Sequence, residues 1–282
     1  MKKNLLFILA LALPLLAFAG KKDTFKMPDV ALPVIPNNVV TLTDFGAKGD
    51  GTTLCTDAFT KAMKKLSSMG GGKLEVPAGI WFTGPIQFES NIELHTAVGA
   101  LIVFTDDYDA YPMIETMFEG NTAKRRMSPL YAYNKENIAI TGHGTFDGNG
   151  QAWRPVKKFK LTDAQWSALT KSGGSVEKNI WYPEIKERAF NRPVLLDFMY
   201  CKKILLKNVT FSNSPAWNVH PCICEDVTIE EVNIKNPWFA QNGDGLDLES
   251  CKRAKIINTT FDVGDDAICI KSGKDAEGRR IG

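Results

Sequence analysis

The chain has 282 residues, with 34 Lys and Arg against 32 Asp and Glu. Removing Lys2 and Lys3 with the first 19 residues leaves 32 basic residues (34 − 2), equal to the 32 acidic ones. A formally neutral chain of this kind excludes recruitment of nucleic acid or any other polyanion by a global basic field. Six scattered cysteines likewise exclude a disulfide-dense scaffold.

Lys2 and Lys3, the apolar run from Leu5 to Phe18 and the small-residue site Ala17, Phe18, Ala19 predict an export signal over residues 1–19. The run is too short for a membrane span, so the expected location is periplasmic or extracellular. After a Pro-rich lead over 27–36, residues 39–43 read as a strand running into a Gly-rich turn. Ala58, Phe59, Ala62, Met63 and Leu66 then make an apolar helical stripe ended by Gly70, Gly71 and Gly72. These glycines follow the helix and lack the Lys-Ser/Thr of a phosphate loop. One amphipathic helix suits an N-terminal cap over the first coil of a solenoid.

Short strand-like runs follow at 73–76, 80–82, 86–88, 92–94 and 101–104, parted by Gly, Pro, Asn and Asp. Strands this short and regular predict all-β architecture. Ile138 and Ile140 continue the pattern into the turn that holds His143, read as structural or peripheral. Residues 154–192 interrupt it, with a short helix expected at 163–169 and aromatics at Trp181, Tyr182 and Phe190. An interruption of this length suggests a cleft wall, or equally packing on the flank.

From Cys201 the repeat becomes legible. Residues 201–211, 225–234 and 251–261 share one plan, with starts 24 and 26 residues apart. Cys201 and Cys251 fall two coils apart, too far to bridge, and buried thiols are the expectation. Cys222 and Cys224 resemble half a zinc site, but no second pair follows at ligand spacing, so no metal or cofactor is expected. Side chains recurring at each coil would stack into interior ladders. The predicted fold is a right-handed parallel β-helix with a short N-terminal capping helix.

Residues 242–273 carry the chemistry. Asn242, Gly243, Asp244 and Gly245 turn into Leu246, Asp247, Leu248 and Glu249; Gly264, Asp265 and Asp266 turn into Ala267, Ile268, Cys269 and Ile270. Matching the buried positions shifts one segment onto the other by 22 residues and puts Asp244 over Asp266. Asp265 becomes the odd carboxylate. Three like charges at one mouth should raise at least one pKa, providing a group able to donate a proton. A lone Asp beside Gly usually serves a turn, and carboxylates also hold calcium; three stacked ones point to acid–base work.

At these residues the chain resembles the polygalacturonase family, glycoside hydrolase family 28, in its Asn-x-Asp turn and the Asp-Asp turn one coil later. The resemblance extends over residues 213–220 and the capping segment, and so over nearly all of residues 20–282. It implies a pectin-lyase-like β-helix domain in which Asp265 protonates the glycosidic oxygen while Asp244 and Asp266 hold and deprotonate water. Inversion of configuration follows, with a gap of roughly 6.5 to 9.5 Å between acid and base. Gly243 stands where many members have Thr. Asn242, Asp247, Lys271, His220 and Trp217 are expected to bind substrate, Lys271 being the first candidate for an acidic sugar. Family members continue for several coils with Gly-His-Gly and Arg-x-Lys segments, neither of which occurs after Asp266. The expectation is a chain lacking its C-terminal coils. The expected partner is a pectic polysaccharide or oligogalacturonide, taken up by a monomer. Residues 270–273 look more like exo-acting members. Two other functions stay open: a calcium-dependent pectate lyase and a non-catalytic pectin-binding envelope protein.

Overall fold

The computed structural model of the chain describes residues 26–184 and 187–281; the segment expected to direct export lies outside them. Three stacks of parallel strands form a right-handed parallel β-helix. The first stack runs Val39–Thr41, Gly72–Val76, Ile92–Thr96, Glu136–Gly142, Lys202–Lys207, Glu225–Glu230 and Lys252–Ile257. The second runs Asp50–Leu54, Gly79–Thr83, Ala100–Phe104, Thr145–Asp147, Thr210–Ser212, Asn233–Lys235 and Thr260–Asp262. The third, which carries the site, runs Ile86–Gln87, Leu130–Tyr133, Leu196–Met199, Val219–Cys222, Leu246–Glu249 and Ile268–Lys271.

Parallel register turns the two-residue period into columns. Leu74 pairs with Leu94, Leu94 with Ile140, Ile140 with Leu206 and Leu206 with Ile229, and none is more than 1% exposed. Each such burial contributes about 1.5–3 kcal/mol. Phe146 and Phe211 stack in the same way at 5.3 Å. The corner after the third stack repeats a left-handed residue in four coils, at Asn134, Tyr200, Ile223 and Ser250. Asn adopts that conformation readily, whereas a branched Ile there is strained, so stacking imposes the corner.

Helix Thr56–Ser68 buries Ala58, Phe59, Ala62, Met63 and Leu66 against the first coils, as a cap. The helix expected at 163–169 spans Asp163–Lys171, held by a Thr162–Gln165 capping box. Around it, Val156–Lys157, Ile180–Tyr182 and Ser175–Glu177 form a small antiparallel sheet. A second excursion escaped the sequence reading. Met113–Phe118 and Asn121–Arg126 pair as an antiparallel hairpin over the third stack, and neither run alternates apolar with polar residues, so no strand period marks it. At the coil of residues 252–271 the interior side of the third stack lies open, with Ile270 84% exposed.

Cys201, Cys224 and Cys251 precede successive strands of the first stack, so Cys224 occupies the rung between the other two. All six cysteines are free thiols; Cys55, Cys201, Cys222 and Cys224 are buried.

Candidate active site

The last two strands of the third stack pair Leu246 with Ile268, Asp247 with Cys269, Leu248 with Ile270 and Glu249 with Lys271. This is the 22-residue offset. The Gly245 amide donates to the Asp266 carbonyl at 2.9 Å, which continues the register into the acidic turns. Gly245 permits that approach: a Cβ there would lie 2.6 Å from the Ala267 carbonyl oxygen and 2.8 Å from the Phe261 ring.

Asp244, Asp265 and Asp266 each bring one carboxylate oxygen within 4.8 Å of the other two. Asp244 is buried while its two neighbours are exposed. Burial, then the charges of Asp247 and Asp265, push the Asp244 carboxyl up from 3.8 to about 6. The Cys269 thiol donates to Asp266 Oδ2 at 3.3 Å and approaches Asp244 Oδ2 at 3.6 Å. These carboxylates line a groove of about 520 Å³ together with Trp217, Asn242, Glu249, Lys271, Ser272 and Lys274. Glu119 and Gly120 at the hairpin tip close one side.

Four side chains tie that hairpin to the floor. The Arg125 guanidinium lies 3.7 Å over the Phe118 ring, Phe118 stacks on Trp217 at 4.5 Å, and Lys271 sets its ammonium 3.5 Å from the Trp217 centroid. Asn242, in the left-handed region at φ 52°, accepts a 2.7 Å hydrogen bond from buried Arg192.

Three expected substrate ligands are placed differently. Trp217 is 3% exposed, its ring taken up by Phe118 and Lys271. His220 and Asp247 are 1% and 0% exposed and lie beneath the groove floor, not on it. Both occupy outward positions of their strands, but Trp217 packs edge-on against His220 and Lys271 forms an ion pair with Asp247. The aromatics Trp181, Tyr182 and Phe190 do not line the carboxylate groove. Trp181 faces a neighbouring pocket with Phe239, and Tyr182 stacks on Phe190 at 6.1 Å.

Sequence reasoning missed Asp197, Glu249 and Arg192. Asp197 pairs in register with His220, and its Oδ1 lies 3.0 Å from His220 Nδ1; Glu249 Oε2 lies 3.2 Å from Nε2. Burial alone would push the imidazole down, but its hydrogen bonds to Asp197, Cys222 and Glu249 overcome it and hold the group well above its usual value. The rung spacing was the available signal, since it carries one outward residue onto the next.

The signature of glycosyl hydrolases family 28 matches residues 73–278. A probable polygalacturonase of Vitis vinifera is 33% identical over 86% of this chain and 46% of its own length. The exo-poly-alpha-D-galacturonosidase of Dickeya chrysanthemi is 27% identical over 83% of this chain and 42% of its own. Among solved structures, a hyperthermoactive exopolygalacturonase from Thermotoga maritima superposes with a TM-score of 0.74 at 38% identity, covering 89% of this chain and 58% of that one. The chain thus spans about half the length of the curated relatives it matches. Among the described residues, no helix is long and apolar enough to cross a membrane.

Proposed function

Because the chain belongs to glycosyl hydrolase family 28, we propose that it hydrolyses α-1,4-galacturonosyl bonds of pectic polysaccharide or oligogalacturonide by acid–base catalysis. The observation that carries this reading is the convergence of Asp244, Asp265 and Asp266 within 4.8 Å at the mouth of one groove. Asp265 is the general acid toward the glycosidic oxygen; Asp244 and Asp266 hold and deprotonate the attacking water. A carboxylate raised to about 6 is a stronger base than an ordinary one, which suits Asp244 to that task. The closest oxygens stand nearer than the roughly 6.5 to 9.5 Å between carboxyls of inverting enzymes. Asp265 and Asp266 are exposed, so side-chain rotation opens the space that water needs.

Lys271 and Lys274 supply local positive charge for uronate carboxylates in a chain with no global basic field. Trp217, buried against Phe118, holds the Lys271 ammonium over its ring at the groove. The family match favours hydrolysis over lyase action or binding without turnover. The exo-acting enzymes from Dickeya chrysanthemi and Thermotoga maritima support removal of units from a chain end. The basic start and apolar run over 1–19 support export to the periplasm or beyond, and we take the working form to be a monomer.

The test compares the native gene product carrying this chain with its Asp265→Asn variant. Release of reducing ends from polygalacturonate should fall by roughly 10²–10⁴-fold in the variant, with galacturonate monomer the product throughout the wild-type reaction. Substantial activity in the variant would remove Asp265 from its role.

A further inference from the structure

Behind the groove floor a second set of donors meets, separate from the three aspartates. His220 and Cys222 are two residues apart on strand Val219–Cys222 and so face the same way; Glu249 stands opposite Cys222 in the next strand. One donor atom from each lies within 4.8 Å of the other two. None of the three is more than 1% exposed. Glu249 Oε1 is buried with no hydrogen-bond partner, and the Met117 thioether lies 3.9 Å from Cys222 Sγ.

We propose that this nest binds one transition-metal cation of the zinc class through His220 Nε2, Cys222 Sγ and the Glu249 carboxylate, with Met117 at the fourth corner. Imidazole, thiolate and carboxylate are the donors such a cation takes, and the soft sulfurs disfavour calcium or magnesium. Asp197 Oδ1, 3.0 Å from Nδ1, accepts a hydrogen bond from Nδ1–H and so aims the Nε2 lone pair at Cys222 and Glu249. A carboxylate behind a ligating imidazole is the usual orienting partner. Tetrahedral zinc brings such donors to about 3.5 Å apart, so side-chain movement of about an ångström closes the set. Binding displaces the thiol proton of Cys222 and the proton shared by Nε2 and Glu249, both to solvent. The dication then balances one thiolate and one carboxylate. Glu249 also borders the groove.

Along the sequence Cys222 and Cys224 lack a second pair at ligand spacing. In the fold those two part company: Cys224 packs in the interior core, and Cys222 sits in the outer cluster with Met117 and Met199. The partners of Cys222 come from two residues earlier and from the next rung instead.

The test titrates the metal-free 282-residue chain with Co²⁺ as a zinc stand-in. A thiolate-to-cobalt absorption in the near ultraviolet should saturate at one equivalent and vanish on adding equimolar Zn²⁺. Cys222→Ser should abolish it, whereas Cys269→Ser, which removes the thiol beside Asp244 and Asp266, should leave it unchanged. Glu249→Gln should weaken Co²⁺ binding at least tenfold with the band intact, which guards against a Cys222→Ser chain that fails to fold. Absence of the band, its survival in Cys222→Ser, or unaltered affinity in Glu249→Gln each overturns the proposal.

Discussion

Lys271 is held by two groups at once, the Trp217 ring 3.5 Å from its ammonium and the buried carboxylate of Asp247. The cation that faces the groove is therefore also the counter-charge of an aspartate with no access to water. Lys271→Met should destabilise the fold by about 2–4 kcal/mol, because it leaves Asp247 buried without its partner. Adding Asp247→Asn should recover at least half of that loss, as urea denaturation of the single and double variants will show.

Asp244 gives a pH signature with a definite sign. Its carboxyl titrates near 6 in the folded chain against 3.8 unfolded, so between those values the native state holds more protons than the unfolded state. Its contribution to stability is present below about pH 4 and lost as pH rises toward about 6. Asp244→Asn should remove that slope and raise stability above pH 6 by about 1–2 kcal/mol, a figure discounted for the groove water that screens the charge. Denaturation midpoints at pH 4, 5, 6 and 7 check it; a parallel shift at every pH would refute the assignment.

Gly245 keeps the two acidic turns in contact. Gly245→Ala puts a methyl against the Ala267 carbonyl and the Phe261 ring, and the last strand must move away. The expected cost is about 1–3 kcal/mol, with a larger loss of hydrolysis than of substrate binding because the carboxylates separate. Comparing kcat and KM on polygalacturonate distinguishes this from a purely global effect.

Phe118 is the hairpin's contact with the site, stacked between Arg125 and Trp217. Phe118→Ala should release the tip, expose Trp217 and shift its fluorescence to the red. Limited proteolysis within 113–126 should become faster, while the thermal midpoint of the β-helix moves by only a few degrees.

The solenoid was readable because its period is written in the interior residues: Leu246 and Leu248 announce the strand, and Ile268 and Ile270 repeat it 22 residues on. Register then placed Asp244 beside Asp266. Depth was not readable. His220 and Asp247 have the polar, outward position of groove residues, and only the side chains above them, Trp217 and Lys271, decide that they are sealed. The hairpin was invisible for a different reason. Met113, Ile114, Glu115, Thr116, Met117 and Phe118 fall in like pairs and Lys124, Arg125 and Arg126 run consecutively, so neither strand shows a two-residue period, and its burial comes from docking Phe118 and Met117 onto rungs far along the chain.

That hairpin leaves the chain just before strand Leu130–Tyr133, yet its tip, Gly120, packs against Gly273 and Lys274, just past strand Ile268–Lys271 four rungs on. Four rungs span about 19 Å of solenoid. No seat for the tip exists until those rungs have stacked, so assembly has an order: the spine zips first and the strap fastens last, as an event between distant parts of the chain. A refolding chain should accordingly recover its sheet signal before Trp217 is shielded.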